Sequence, residues 1–405
     1  MDCERDKRRV TLRIAITGAT GLLGRNFLFE IIKRNLKNLD NLEILLLGRD
    51  KNKMHIKERI QNIIAEDGIS YLSLDQHQFA NIKKSIFDSI TCVNMNLREP
   101  KLNINSNDLK IMKKKTIDAF FHIAALTDFR NTASTVKALK ETNVNGTKQI
   151  LDLTALLKVD KFYYISSAYS CGETTGDIKP DHVNLNQRFR NPYEKSKLEA
   201  EILVRNIAKK NRMKCTFFRP STICGRLIEQ PIGSVHKFDV FYAWTAFFLH
   251  LKTKQLKELS YSRPLNLEAR IFYSLHSGLN IVPADYAAKV MYQVFLDNLP
   301  DDSFYLVNDK ETPHKLYVPI MLTTVNIEGT TQINCMPKDM NPYEKLYYKS
   351  IGKIFTPYVI SAPMLFDSQN LQEMLKKNDL ICPVVDELNF SKLMEYAKKS
   401  NFGIG

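Results

Sequence analysis

Long apolar runs are missing from this chain of 405 residues. No stretch approaches the roughly 18 uninterrupted apolar residues of a membrane span. The nearest candidate, Val240 to Leu249, ends at His250 and Lys252 and reads as a buried helix or a greasy substrate wall. Cysteine is sparse: seven residues, odd in number, scattered, with no Cys-x-x-Cys pair. That spacing indicates neither a zinc site nor a disulfide framework, and reduced thiols in the cytoplasm fit it best. A secretory leader is not expected either. The basic residues Arg5, Lys7, Arg8 and Arg9 precede only a short apolar run that leads into a glycine turn. Acidic residues are outnumbered, 44 against 58 Lys and Arg, for a net charge of +14. A lysine-rich solvated surface accounts for such an excess. So does attraction of an anionic partner: a phosphorylated cofactor, coenzyme A or an acidic carrier protein. Nucleic acid is not expected, because no recognition motif accompanies the charge. No internal repeat or low-complexity tract is present.

What is present is alternation. Strand-like runs cover Leu12 to Ile16, Glu43 to Leu47, Ile90 to Met95, Ala119 to Ile123, Phe162 to Ser166 and Cys215 to Phe218. Helical patterns separate them: Asn26 to Leu36, the series Ile56, Ile60, Ile63 and Ile64, one long helix from Asn143 to Leu157, and Pro192 to Lys210. The last has Asn191 as N-cap and Pro192 at its first position. Strands alternating with helices predict a doubly wound parallel sheet, Rossmann-like, with ligands at the carboxyl ends of its strands. After Gly225 the alternation breaks down. The expected organisation is a nucleotide-binding domain over 1–225 and a smaller substrate-binding region over 226–405, with about 280–308 returning to the first domain.

Two motifs carry the chemistry. Gly18, Gly21 and Gly24, spaced Gly-x-x-Gly-x-x-Gly, follow the first strand and open the first helix. Such a turn lets backbone approach a pyrophosphate, and the helix start offers free N–H groups and partial positive charge. The second strand ends Leu47-Gly48-Arg49-Asp50. An acid there would hold the ribose hydroxyls of NAD, whereas an arginine would clamp the 2′-phosphate of NADP. Arg49 favours NADP(H) over NAD(H). Tyr193 and Lys197 lie four residues apart on one helical face, after a strand ending in Ser166-Ser167. A tyrosine near pKa 7 needs about 4 kcal/mol of differential stabilisation, which an adjacent ammonium and a cationic nicotinamide would supply. A serine would hydrogen-bond the carbonyl oxygen.

In this order, Thr17 to Gly24, Asp118 to Ala125, Thr142 to Thr147, Ile165-Ser166-Ser167, Tyr193 to Lys197, Arg219-Pro220-Ser221 and Val282 to Tyr286 resemble the extended short-chain dehydrogenase/reductase superfamily. The long helical insert after Arg49, Leu102 to Leu109 followed by Phe121 to Phe129, and Phe366-Asp367 resemble its thioester reductase and fatty acyl-CoA reductase branch. Asn96 stands where that branch has the aspartate of a Gly-Asp-Leu motif. The resemblance implies Tyr193 as general acid/base and Lys197 as the group that lowers its pKa and binds the nicotinamide ribose. It implies Ser167 as the carbonyl-orienting residue and Asn143 as the holder of a relay water. Gly18, Thr20, Gly21, Leu22, Leu23, Gly24, Arg49, Asn96, Leu97, Ala124, Ala125, Tyr193 and Lys197 would contact the cofactor. His122 reads as a satisfied strand-end histidine, Ser166 as a capping or packing residue, and no metal is expected. Trp244 and the aromatics around it read equally as core or as the wall of an acyl pocket.

The implied activity is NADPH-dependent hydride transfer to an acyl thioester, bound to coenzyme A or to a carrier supplied in trans. Two alternatives stand beside it: a nucleotide-sugar epimerase, dehydratase or hydroxysteroid-type dehydrogenase, and a non-catalytic cofactor-binding scaffold.

Overall fold

Strands β1 (Leu12–Thr17), β2 (Leu42–Gly48), β3 (Ile90–Asn94), β4 (Ile117–His122), β5 (Val159–Ile165), β6 (Lys214–Pro220) and β7 (Ser303–Leu306) form one sheet. Their spatial order is β7-β6-β5-β4-β1-β2-β3 and every pairing is parallel. The computed structural model describes residues 11–300 and 302–404. Cys3 and the basic residues Arg5 to Arg9 lie outside them.

A parallel sheet covered on both faces needs strands that are apolar throughout, and β1, β4 and β5 are buried almost end to end. Alternate residues then serve two cores. Ile14, Ile16, Ile44, Leu46, Phe121, Tyr163 and Phe218 face one, which includes α1 (Leu22–Arg34) and α5 (Ala284–Leu296). Ala15, Leu45, Leu47, Phe120, Phe162 and Tyr164 face the other, with α2 (Gly146–Leu156) and α3 (Pro192–Asn211). Phe121, Tyr163 and Phe218 stack across β4, β5 and β6, with centroids 4.3 and 6.0 Å apart.

The segment expected as one helix from Asn143 is broken: helix Ala133–Leu139, a wide π-helical turn over Lys140–Asn145, then α2. The turn brings Asn143 inward, where it is buried. The returning segment gives α5, packed on α1, and β7, one of the sheet's two edge strands. Leu371 and Met374 also return to the first core.

A third core lies in the later part of the chain, around α4 (Phe241–Leu256), helix Glu387–Lys399 and α6 (Ile351–Val359). No helix among the described residues is long and apolar enough to cross a membrane. Cys92, Cys171, Cys224, Cys335 and Cys382 are thiols outside any disulfide.

Candidate active site

A cleft of about 710 Å³ runs along the carboxyl ends of the strands. At one end is the glycine turn. Gly18 has φ +81°, and a Cβ there would lie 2.7 Å from Ala124 N. A Cβ on Gly24 would lie 2.2 Å from the Gly18 carbonyl oxygen. The turn closes through Gly21 N donating to Gly18 O at 2.9 Å, and no side chain caps α1. The opening thus presents bare backbone and unpaired helix N–H groups, a donor set suited to a pyrophosphate. Gly24→Ala is expected to force α1 away from the turn. Overpacking of this kind costs about 1–3 kcal/mol, read as a lower denaturation midpoint together with weaker dinucleotide binding.

Loop 225–240 packs beside α1, Arg226 Nε donating to Asn26 Oδ1 at 2.7 Å, and lines the cleft through Lys237, Asp239 and Val240. Asp285 anchors it, fully buried, accepting Ile228 N and Glu229 N at 2.7 Å, Tyr286 N at 3.0 Å and Leu227 N at 3.3 Å. Arg226, also buried, holds Asp67 through both terminal nitrogens at 2.8 and 2.6 Å.

Beyond β2, Arg49 lines the cleft and Asp50 does not. Asp50 Oδ1 accepts Ile56 N at 2.7 Å and Oδ2 pairs with His55 Nδ1 at 2.9 Å, so the acid caps helix Ile56–Ile63. Lys51, Arg59 and Arg98 join Arg49 along the wall. Sequence reasoning passes over these three. Arg59 carries a signal: it shares a helical face with Ile56 and Ile60, which also line the cleft.

Midway, the cleft meets Ser167, Tyr193 and Lys197. Asn191 Oδ1 accepts Glu194 N at 3.1 Å, fixing the first turn of α3 and with it Tyr193. Ser167 Oγ accepts Tyr169 N at 3.2 Å, which directs the hydroxyl proton away from that amide. Lys197 Nζ donates to Ile165 O at 2.5 Å and to Tyr164 OH at 3.1 Å. Burial pushes this ammonium down to about 7, against the pull of Glu201 one turn further on. Tyr193 moves opposite to the expectation of a lowered phenol. Burial raises it, a hydrogen bond with Thr127 opposes that rise, and Lys197 is engaged elsewhere. The protein's own groups therefore keep the Tyr193 proton in place.

Behind Lys197 runs a buried chain whose polarity is fixed. Thr17 Oγ1 accepts Ile123 N and Ala124 N, both at 3.1 Å, so its proton goes to His122 Nδ1 at 2.8 Å. His122 Nε2–H then donates to Thr147 Oγ1 at 3.0 Å, and Thr147 donates to Asn143 O at 2.6 Å. Burial, then Lys197, pushes His122 down to about 3, so the ring is neutral. Asn143 is absent from the cleft lining. Its amide accepts Leu126 N at 2.8 Å and donates to Leu126 O and Ser196 Oγ, both at 3.0 Å. It ties Leu126 to α3.

Gly18, Thr20, Gly21, Leu22, Leu23, Gly24, Arg49, Asn96, Leu97, Ala124 and Ala125 all line the same cleft. Its far arm is walled by Phe129, Tyr169, Leu279, Tyr317, Phe355 and Tyr358. The tyrosine hydroxyls there pair with the protein: Tyr169 with Thr222 Oγ1 at 3.1 Å, Tyr317 with His314 Nδ1 at 2.7 Å, and Tyr358 with Glu194 Oε1 at 2.6 Å. Trp244 and Phe248 are core, not wall; the indole N–H donates to Tyr347 OH at 3.0 Å. From the same run, Val240 and Tyr242 do reach the cleft.

Residues 16–291 match the family described as Male sterility protein. A linear gramicidin synthase of Brevibacillus parabrevis is 22% identical over 395 residues, covering 94% of this chain and 7% of the synthase. Among the curated relatives it matches, the chain spans from 7% to 62% of their length. The terminal R domain of the myxalamid PKS-NRPS pathway superposes with a TM-score of 0.69 at 19% identity, over 97% of this chain and 92% of that one. A thiolation-reductase di-domain from an archaeal non-ribosomal peptide synthetase gives 0.65 at 18% identity, over 97% and 76%.

Proposed function

The chain belongs to the Male sterility protein family, within the extended short-chain dehydrogenase/reductase superfamily of NAD(P)-dependent enzymes, and from that premise we propose that it is an NADPH-dependent reductase of acyl thioesters. The observation that carries this is the continuity of the cleft. It runs from the glycine turn, past Ser167, Tyr193 and Lys197, into an arm walled by rings whose hydroxyls are committed to the protein. A sugar would ask that arm for free hydrogen-bond donors and acceptors; an acyl chain asks only for apolar surface. The substrate is carried by coenzyme A or by an acidic carrier protein, drawn by the +14 charge. Such a carrier would bring the acyl group from another chain or domain, as the name of the thiolation-reductase neighbour suggests.

The glycine turn would hold the pyrophosphate, Ala124 and Ala125 would leave room beside it, and Asn96 and Leu97 would border the adenine. Lys197 would reach the nicotinamide ribose. When bound, the cofactor supplies a hydride to the acyl carbon. Ser167 and Tyr193 hydrogen-bond the carbonyl oxygen, and Tyr193 gives it a proton as negative charge develops. Loss of the thiol leaves an aldehyde.

The test is NADPH oxidation across acyl-CoAs, aldehydes and nucleotide sugars. Turnover of acyl-CoA or aldehyde supports the reading; turnover of nucleotide sugars alone sinks it. Cofactor choice is tested at the cationic wall. Arg49→Ala is expected to weaken NADPH about tenfold to a hundredfold, with NADH little changed, as befits one charge-assisted bond of about 1.5–3 kcal/mol. Equal weakening of both cofactors would remove the phosphate assignment.

A further inference from the structure

Glu194 follows Tyr193 directly and is a fully buried carboxylate. Its Oε1 accepts the Tyr358 hydroxyl at 2.6 Å and its Oε2 accepts Arg190 N at 2.9 Å. The Arg190 guanidinium, itself buried, stands 3.5 Å from Oε1 and 5.2 Å from the centroid of the Tyr358 ring. Asn191, the N-cap of α3, donates Nδ2–H to the Tyr358 oxygen at 2.6 Å. One hydroxyl from α6 therefore donates to one residue and accepts from another on the turn that holds Tyr193. The contact is doubled through rings. Tyr358 meets Phe129 edge to face at 6.3 Å, and Phe129 meets Tyr193 the same way at 5.3 Å. Tyr358 lies outside residues 16–291, the part matched to the family.

We propose that Tyr358 is a positioning residue for Tyr193, tying α6 to the first turn of α3 so that the phenol is aimed only when the ring-walled arm is assembled. The proposal rests on the reading of Tyr193 as proton donor. A buried carboxylate is costly unless its oxygens find donors, and here the donors come from two elements far apart in sequence. The surrounding low dielectric sharpens the dependence on geometry, because each bond strengthens only in one arrangement. Apolar packing alone would tolerate α6 sliding; the Glu194–Tyr358 bond does not. The same hydroxyl is committed to Glu194 and Asn191, so its role is to hold rather than to react.

The test uses the full chain with NADPH and octanoyl-coenzyme A. Tyr358→Phe keeps the ring and removes the bond. The expected result is a fall in kcat of about tenfold, as small misplacements of a reacting group produce. KM for octanoyl-coenzyme A and Kd for NADPH should each stay within about twofold of wild type, because the wall and the cofactor cradle are intact. Glu194→Gln, which keeps an acceptor for Tyr358, should give a kcat between those of wild type and Tyr358→Phe. A purely structural role would lower the melting temperature without lowering kcat per NADPH-binding site. The proposal is overturned if kcat per NADPH site is unchanged in Tyr358→Phe while Tyr193→Phe has lost turnover. It is also overturned if KM and Kd rise together with the loss of kcat. Normal turnover by Tyr193→Phe would overturn the proton-donor reading and this proposal with it.

Discussion

Tyr193→Phe is expected to lower turnover by roughly 10²–10⁴ with NADPH affinity unchanged, the range for losing a positioned proton donor. The substitution deletes one hydroxyl. The ring still packs edge to face on Phe129 at 5.3 Å, and the one structural contact given up is the hydrogen bond with Thr127. What is lost is specific to the reducing direction. A reductase needs a group that still holds its proton when the carbonyl oxygen becomes negative, and burial raises the Tyr193 phenol. Lys197, pushed down to about 7, is oriented by Ile165 and Tyr164 rather than by the phenol. Its replacement by alanine is thus expected to weaken the cofactor as well as turnover. Stopped-flow NADPH oxidation, paired with NADPH binding by fluorescence, separates the two. Near wild-type turnover in folded Tyr193→Phe would falsify the chemistry.

The second large effect concerns stability. Arg219 and Glu201 are almost wholly buried and meet through two bonds, Nη2 to Oε1 at 2.7 Å and Nε to Oε2 at 3.1 Å. Arg219→Met is expected to cost about 3–5 kcal/mol, the usual penalty for leaving one buried charge unpaired. Arg205 remains at 2.7 Å but is partly exposed, so it compensates in part. The loss has a definite pH dependence. Burial alone would raise Glu201; Arg219 overcomes this and holds it below the ordinary carboxylate range. A depressed carboxylate contributes stability above its unfolded pKa of about 4.3 and loses it as pH falls through the folded value. Without Arg219 the folded pKa rises, so the deficit should be full at neutral pH and shrink as Glu201 protonates in acid. Urea unfolding at several pH values measures this. A pH-independent deficit would mean that lost packing, not an orphaned charge, is responsible.

The sheet is legible because parallel strands declare themselves as short apolar runs between helical patterns, and β1 to β6 can be read that way. β7 escapes because Ser303–Leu306 is four residues long and sits beyond the last clear alternation. The glycine turn, Ser167, Tyr193 and Lys197 are legible as local spacings, and one cleft gathers them. Residues gathered by tertiary packing alone are not. Ile354, Phe355 and Tyr358 reach the cleft from a helix far along the chain, and the Tyr358–Glu194 bond spans 164 residues, which no local spacing announces. The α4 run illustrates a different limit. A helix apolar on all sides carries no sign of which face meets the core, and Trp244 turns inward while Tyr242 reaches the cleft. Asn143 reads as part of a regular helix; the π-helical turn rotates it into the bracket with Leu126 and Ser196.

Trp244 has one more consequence. It is the only tryptophan in the sequence, and it sits deep in the later core with its N–H on Tyr347. Its emission is therefore an optical reporter of that core alone, silent about the sheet. Far-ultraviolet dichroism, which averages over every helix and strand, supplies the whole-chain signal to set against it. Melting curves followed by the two probes would coincide if the halves unfold as one cooperative unit, and would separate if the later core comes apart first.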